Sequence, residues 1–61
     1  MDWITILQNT PTLGQKIWAK DSNGIAQLGY ADTNNSILCL KDINGRTILD
    51  CFIHWAIYKQ T

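Results

Sequence analysis

Two pentapeptides in this chain are near copies of each other, Lys-Asp-Ser-Asn-Gly at 20–24 and Lys-Asp-Ile-Asn-Gly at 41–45, and each lies between apolar runs. An Asp can bond its own backbone two residues on, and the Asn and Gly that follow tolerate positive φ. Such a string suits a four-residue hairpin connection built on a type I turn with a bulge. Two hairpins are therefore predicted. The first joins QKIWAK (15–20) to IAQLGYA (25–31), and the second joins SILCLK (36–41) to RTILDC (46–51). Asp-x-Asn-Gly is also a fragment of a calcium loop, but the further oxygen ligands are missing and the chain has no Glu to supply the bidentate one.

The ends of the chain decide what the hairpins become. Trp3, Ile4, Thr5 and Ile6 read as a strand in need of a partner. In the C-terminal run, Leu49, Phe52, Ile53, Ala56 and Ile57 fall at helical spacing while Ile53, Trp55 and Ile57 fall at strand spacing, so periodicity leaves both open. The density of β-branched and aromatic residues favours a strand. The reading is mainly β: a small, five-stranded, partly closed antiparallel barrel with strands at 3–7, 15–20, 25–31, 36–41 and 46–58, the first paired to the last. The last strand is long enough to bend near Cys51 and Phe52 and cross to a second sheet. The alternative is a three- or four-stranded sheet covered by a C-terminal helix. DTNNS (32–36) reads as a polar connection without internal structure. In NTPTLG (9–14), Thr10 as cap, Pro11 at a first helical position and Gly14 as stop fit a single turn.

The chain has 61 residues, a single domain over 1–61, and a domain this small buries only about 60% of the surface its unfolded chain exposes. Charged residues are 16% and apolar ones 46%, so little charge is available to coat that surface, and an interface with another copy is expected to cover part of it. Lys and Arg number five and so do the acids, giving zero net charge. Lys16, Lys20, Lys41, Arg46 and Lys59 are scattered rather than striped, which argues against extended nucleic acid as a partner. No apolar run reaches the ~18 residues that would span a membrane, and the N-terminus has no basic region of the kind a secretion signal needs; the expected location is the cytoplasm. Cys39 and Cys51 lie out of register across the second hairpin, with Cys39 opposite Ile48 or Leu49, so two reduced and mostly buried thiols are expected.

With the strands laid out, Trp3, Ile4 and Ile6, then Pro11, then Gly14 with Ile17, Trp18 and Ala19, then Gly29 and Tyr30, then His54 and Trp55 stand in the order of a known pattern. The chain resembles a small family of uncharacterised phage and prophage proteins, a domain of unknown function. Its members run from W-I-x-V through a Pro loop to G-x-x-V-L-V, then G-Y, and close on T-H-W-M-P. Ile53 stands where the family has Thr, no Leu immediately precedes Pro11, and AIYKQT replaces the Pro-rich tail. The resemblance implies a fold, a strand at the C-terminus, and work inside a bacterial host. It implies no activity.

Chemistry is thin along the chain. His54 on a strand faces away from Trp55 and is expected to pack at the margin of a core. Only on a helix would it share a face with Asp50 and Cys51, where Cys51 and His54 would form a thiol–imidazole pair or half of a zinc site. No cofactor and no metal are expected, and the protein is read as no enzyme, with a small thiol- or metal-dependent enzyme using Cys51 and His54 as the rival class. If Ile17, Ala19, Leu28 and Tyr30 are core, Trp18 points outward between Lys16 and Lys20, a stacking ring beside positive charge. Tyr30 and Arg46 are the next candidates for stacking and for a phosphate fork. The predicted function is a non-enzymatic, phage-derived binding protein acting as a homo-oligomer. It would sequester a small nucleotide immune signal between subunits, or alternatively plug a host defence protein such as a nuclease.

Overall fold

The computed structural model describes residues 2–59; Met1, Gln60 and Thr61 lie outside that description. Six antiparallel strands make one sheet: β1 (Ile4–Thr5), β2 (Lys16–Lys20), β3 (Ala26–Asn34), β4 (Ile37–Lys41), β5 (Thr47–Leu49) and β6 (His54–Ile57). Their order is β1-β6-β2-β3-β4-β5, and the sheet curls into a half-barrel. The expected mainly β, partly closed barrel is therefore present, with six strands instead of five. The predicted last strand breaks at 50–53, where its bend was expected. It does not cross to a second sheet; β6 returns to the middle of the same one, between β1 and β2.

The twin turns form as the repeat dictates. Asp21 Oδ1 accepts the backbone N–H of Asn23 at 2.8 Å and of Ile25 at 3.0 Å, and Asp42 Oδ1 accepts those of Asn44 and Arg46, each at 2.9 Å. Gly24 and Gly45 have φ of +78° and +83°, and each donates its N–H to the carbonyl of its turn's Asp at 3.0 Å. This is the type I turn with a left-handed glycine. The segment 32–36 is a correction to the sequence reading: β3 runs on to Asn34, which pairs with Ile37 across a two-residue turn. Asn35 and Ser36 both have positive φ, 53° and 68°, as a type I′ turn requires.

The single turn predicted at 9–14 forms slightly later, over 12–15, where the Gln15 N–H donates to the Thr12 carbonyl at 3.0 Å. A further, helical turn lies over 5–9, where the Gln8 and Asn9 N–H groups both donate to the Thr5 carbonyl, at 3.0 and 3.1 Å. The Gln8 side chain returns to the Thr5 N–H at 3.1 Å, a reciprocal cap of the Thr-x-x-Gln kind. It cuts β1 to two residues. Thr10 caps nothing among the described residues, while Pro11 is buried and Gly14 adopts φ +87°.

Register sorts the side chains onto two faces, because directly opposed residues share a face and successive ones alternate. The concave face carries the core: Ile17, Ala19, Ala31, Leu40, Phe52 and Trp55, with Ile4, Ile6, Leu38, Ile48 and Leu49 packed against it. Trp55 is also tethered, its Nε1 donating to the Asn9 carbonyl at 2.9 Å. Ile48 is the extra residue of a bulge, since Leu40 opposes Leu49 while Lys41 opposes Thr47. That extra residue lets two consecutive side chains, Ile48 and Leu49, both reach the core. Trp3 is half-buried and stands outside the core cluster that holds Trp55. Its neighbour Ile4 pairs with Trp55, so alternation turns Trp3 to the other face.

Candidate functional site

The radius of gyration is 10.4 Å, close to the roughly 10.5 Å of a filled globule of this length. The concave side is occupied by its own side chains, so a ligand has to be met on the outside. The outer face centres on β2. Trp18 opposes Leu28 on β3 and Ala56 on β6, and Lys16 opposes Tyr30, which in turn opposes Lys41. Leu28 and Tyr30 thus lie beside Trp18, a correction to their expected place in the core. Gly29, between them, is the residue that faces Ile17.

Aromatic rings and cations interleave on this face. The Trp18 and Tyr58 rings are 6.3 Å apart, tilted by 56°. Lys16 Nζ lies 4.7 Å from the centre of the Tyr58 ring and 6.0 Å from that of Tyr30. Lys20 Nζ lies 4.5 Å from the centre of the Trp3 ring. These are cation–π distances. Among the described residues the one ion pair joins Lys41 to Asp32, at 3.2 Å; the ammonium groups of Lys16 and Lys20 rest on rings instead of on carboxylates. The Thr33 N–H, with help from Lys41, holds the Asp32 carboxyl below its usual range. A groove of about 440 Å³ runs beside Trp18, lined also by Asp2, Ile4, Ala56, Ile57 and Lys59.

Of the five residues singled out in the sequence, Lys16, Trp18, Lys20 and Tyr30 are brought together. Arg46 is not, because it sits in the second twin turn next to β5, three strand spacings of about 4.8 Å from β2. Sequence reasoning missed Trp3 and Tyr58. The alternation that turned Trp18 outward, applied to β1 and β6 with their pairing known, would have found both.

His54 is exposed on the outer face and pairs with Thr5, so it does not finish the core. Cys51 is exposed and only Cys39 is buried, which corrects the expectation that both thiols are mostly covered. Leu49 opposes Leu40, which places Cys39 beyond it, level with Asp50. Cys51 and His54 line a second groove of about 450 Å³ with Lys20, Asp21, Phe52 and Ile53. Among the described residues no three His, Cys, Asp or Glu side chains gather as a metal site, and no helix is long and apolar enough to cross a membrane. No protein-family model, curated protein or solved structure matches the chain.

Proposed function

We propose that the protein is a non-enzymatic binding protein of phage origin, acting in the cytoplasm of a bacterial host, where it holds a small nucleotide signal out of circulation. The observation that carries this reading is the outer face, where Trp18 stands among Lys16, Lys20, Tyr30 and Tyr58 and, among the described residues, no carboxylate neutralises either lysine. Rings that stack on a base beside ammonium groups that meet phosphate are the elements of nucleotide binding. The groove beside Trp18, about 440 Å³, falls at the small end of the ~300–1,000 Å³ of ligand pockets, and such pockets bury most of their guest. An open groove does so only when something closes over it, and a second copy related by a two-fold axis supplies that cover.

The test is a thermal-shift screen with cyclic and linear nucleotides, followed by light scattering with the ligand that binds. A guest present at a hundred times its dissociation constant adds about 2.7 kcal/mol to stability, a rise in Tm of several degrees. The Trp18→Ala variant is expected to keep its fold and lose the rise. No shift with any nucleotide at millimolar concentration would overturn the proposal, as would a Trp18→Ala variant that unfolds.

A second reading has its own observation. Leu13 and Ile43, 56% and 82% exposed, flank a groove of about 620 Å³ on the other side of Tyr30, the kind of apolar surface a protein partner covers. In that version the target is a host defence protein, and Ile43→Asp relieves the blockade without affecting nucleotide binding. An enzyme would lean on Cys51 and His54, so a doubly substituted C51A/H54A protein that retains its effect in the native setting removes that class.

A further inference from the structure

We infer that Trp3 and Tyr58 are positioning residues of the proposed nucleotide site, and that they make it select guests with two separated anionic groups. The inference rests on the binding reading above and adds what that reading leaves open. Lys16 and Lys20 sit four residues apart on one strand, roughly 13 Å between their Cα atoms at 3.3–3.4 Å per residue. Long flexible side chains at that separation could still converge on one phosphate. The rings hold them apart. Lys16 stays between β3 and β6, its ammonium over Tyr58 and at the edge of reach of Tyr30. Lys20 leans the other way, across β6, to lie over Trp3 just before β1. Trp18, the stacking ring, opposes Ala56 on β6 between the two.

A lysine over a ring keeps its donors, since the ring uses the field of the charge and no N–H group need be spent on it. Each ammonium is thus held in place and still open to an oxygen. A carboxylate partner would have neutralised it, as Asp32 does for Lys41. Fixing a lysine beforehand also removes part of the rotamer entropy that binding would otherwise have to overcome. The guest that satisfies both cations at once carries a flat ring with a negative group towards either side, as two phosphodiester groups in a dinucleotide provide and one phosphate in a mononucleotide does not.

The experiment uses the whole chain and a cyclic dinucleotide, with 3′,5′-cyclic AMP as the singly charged comparison, by calorimetry across a salt series. The dinucleotide is expected to bind more tightly by at least about tenfold. Tyr58→Leu and Trp3→Leu should each weaken it by about fivefold or more and make the affinity less sensitive to salt. Tyr58→Phe and Trp3→Tyr, which keep a ring, should restore both. In the free protein, the lysine ε-methylene protons of Lys16 and Lys20 should show ring-current shifts in NMR, reduced for Lys16 in Tyr58→Leu, which keeps Tyr30 at 6.0 Å, and lost for Lys20 in Trp3→Leu. Leu variants that bind with wild-type affinity and salt slope, equal affinity for both nucleotides, or absent ring-current shifts overturn the inference while the binding reading stands. Failure of the wild-type protein to bind either nucleotide overturns both.

Discussion

Gly29 shows how tightly single residues constrain this sheet. A Cβ built there would lie 2.7 Å from Leu40 Cγ and 2.8 Å from the Lys41 carbonyl oxygen, and the second of these is backbone that cannot swing away. Gly29→Ala is expected to cost about 1–3 kcal/mol or more, read as a lower urea midpoint, a large share of the ~5–15 kcal/mol that holds a domain together. Two aspartates, Asp21 in the first turn and Asp32 on β3, give the stability its pH dependence. The Ile25 N–H first, then the Gln27 side chain and the Asn23 N–H, hold the Asp21 carboxyl below its usual range, as the Thr33 N–H and Lys41 do for Asp32. A carboxyl with a lowered folded-state pKa binds protons more readily in the unfolded chain. Its contribution is complete above the unfolded value of about 3.9 and is lost as the pH falls through the folded one. Chemical denaturation should therefore give a flat profile from pH 7 to about 5 and a decline below 4, and Asp21→Asn should make that decline shallower. At this scale the sequence was legible wherever a residue's own backbone preference decides, as in both Asp-x-Asn-Gly turns. It was illegible at Gly29, whose role depends on a side chain from another strand.

Elements were legible to the extent that they are local. Both hairpins were evident because their turns are encoded in five consecutive residues, and identical geometry makes a matched prediction. Gly24→Ala and Gly45→Ala, at φ +78° and +83° with open space around them, should each cost about 1 kcal/mol, the same in both turns by urea denaturation. The Asn35-Ser36 turn went unread because Ser at positive φ is uncommon and the polar run around it gave no apolar boundary. The helical turn at 5–9 was announced by Thr5-x-x-Gln8, hidden inside what looked like one strand. The break between β5 and β6 was harder. The bulge at Ile48 and the burial of Phe52 serve the concave core, and neither follows from a period of two. β6 itself is central, flanked by β1 and β2. Trp55→Ala removes its buried anchor and should cost about 3–5 kcal/mol, and deleting residues 1–6 should abolish cooperative unfolding. A soluble deletion variant that still folds cooperatively would mean that the β1–β6 seam is dispensable.

For the whole molecule, low charge expresses itself as exposed aliphatics on several sides. Leu7, Leu13, Ile25, Ile37, Ile43, Ile53 and Ile57 are all more than half exposed. They come from loops, turns and strands spread along the whole chain, which is why composition could announce a covered surface but not say where. The candidate site was legible in its β2 part, four residues on and opposite one strand. The rest required knowing that the two ends of the chain meet beside that strand. That meeting also governs how the fold is reached during synthesis. Ile4 waits for Trp55, some fifty positions later, and β2 waits for the same segment. A nascent chain that has left the ribosome only as far as the second twin turn holds two hairpins' worth of β structure around a missing central strand. Its unpaired edges, β1 and β2, remain open to a chaperone or to a neighbouring copy until residues 54–57 emerge. Contacts this distant in sequence place the final step among the slow folding events, on the scale of milliseconds to seconds. Until that step the chain shows unpaired edges of the kind that template aggregation.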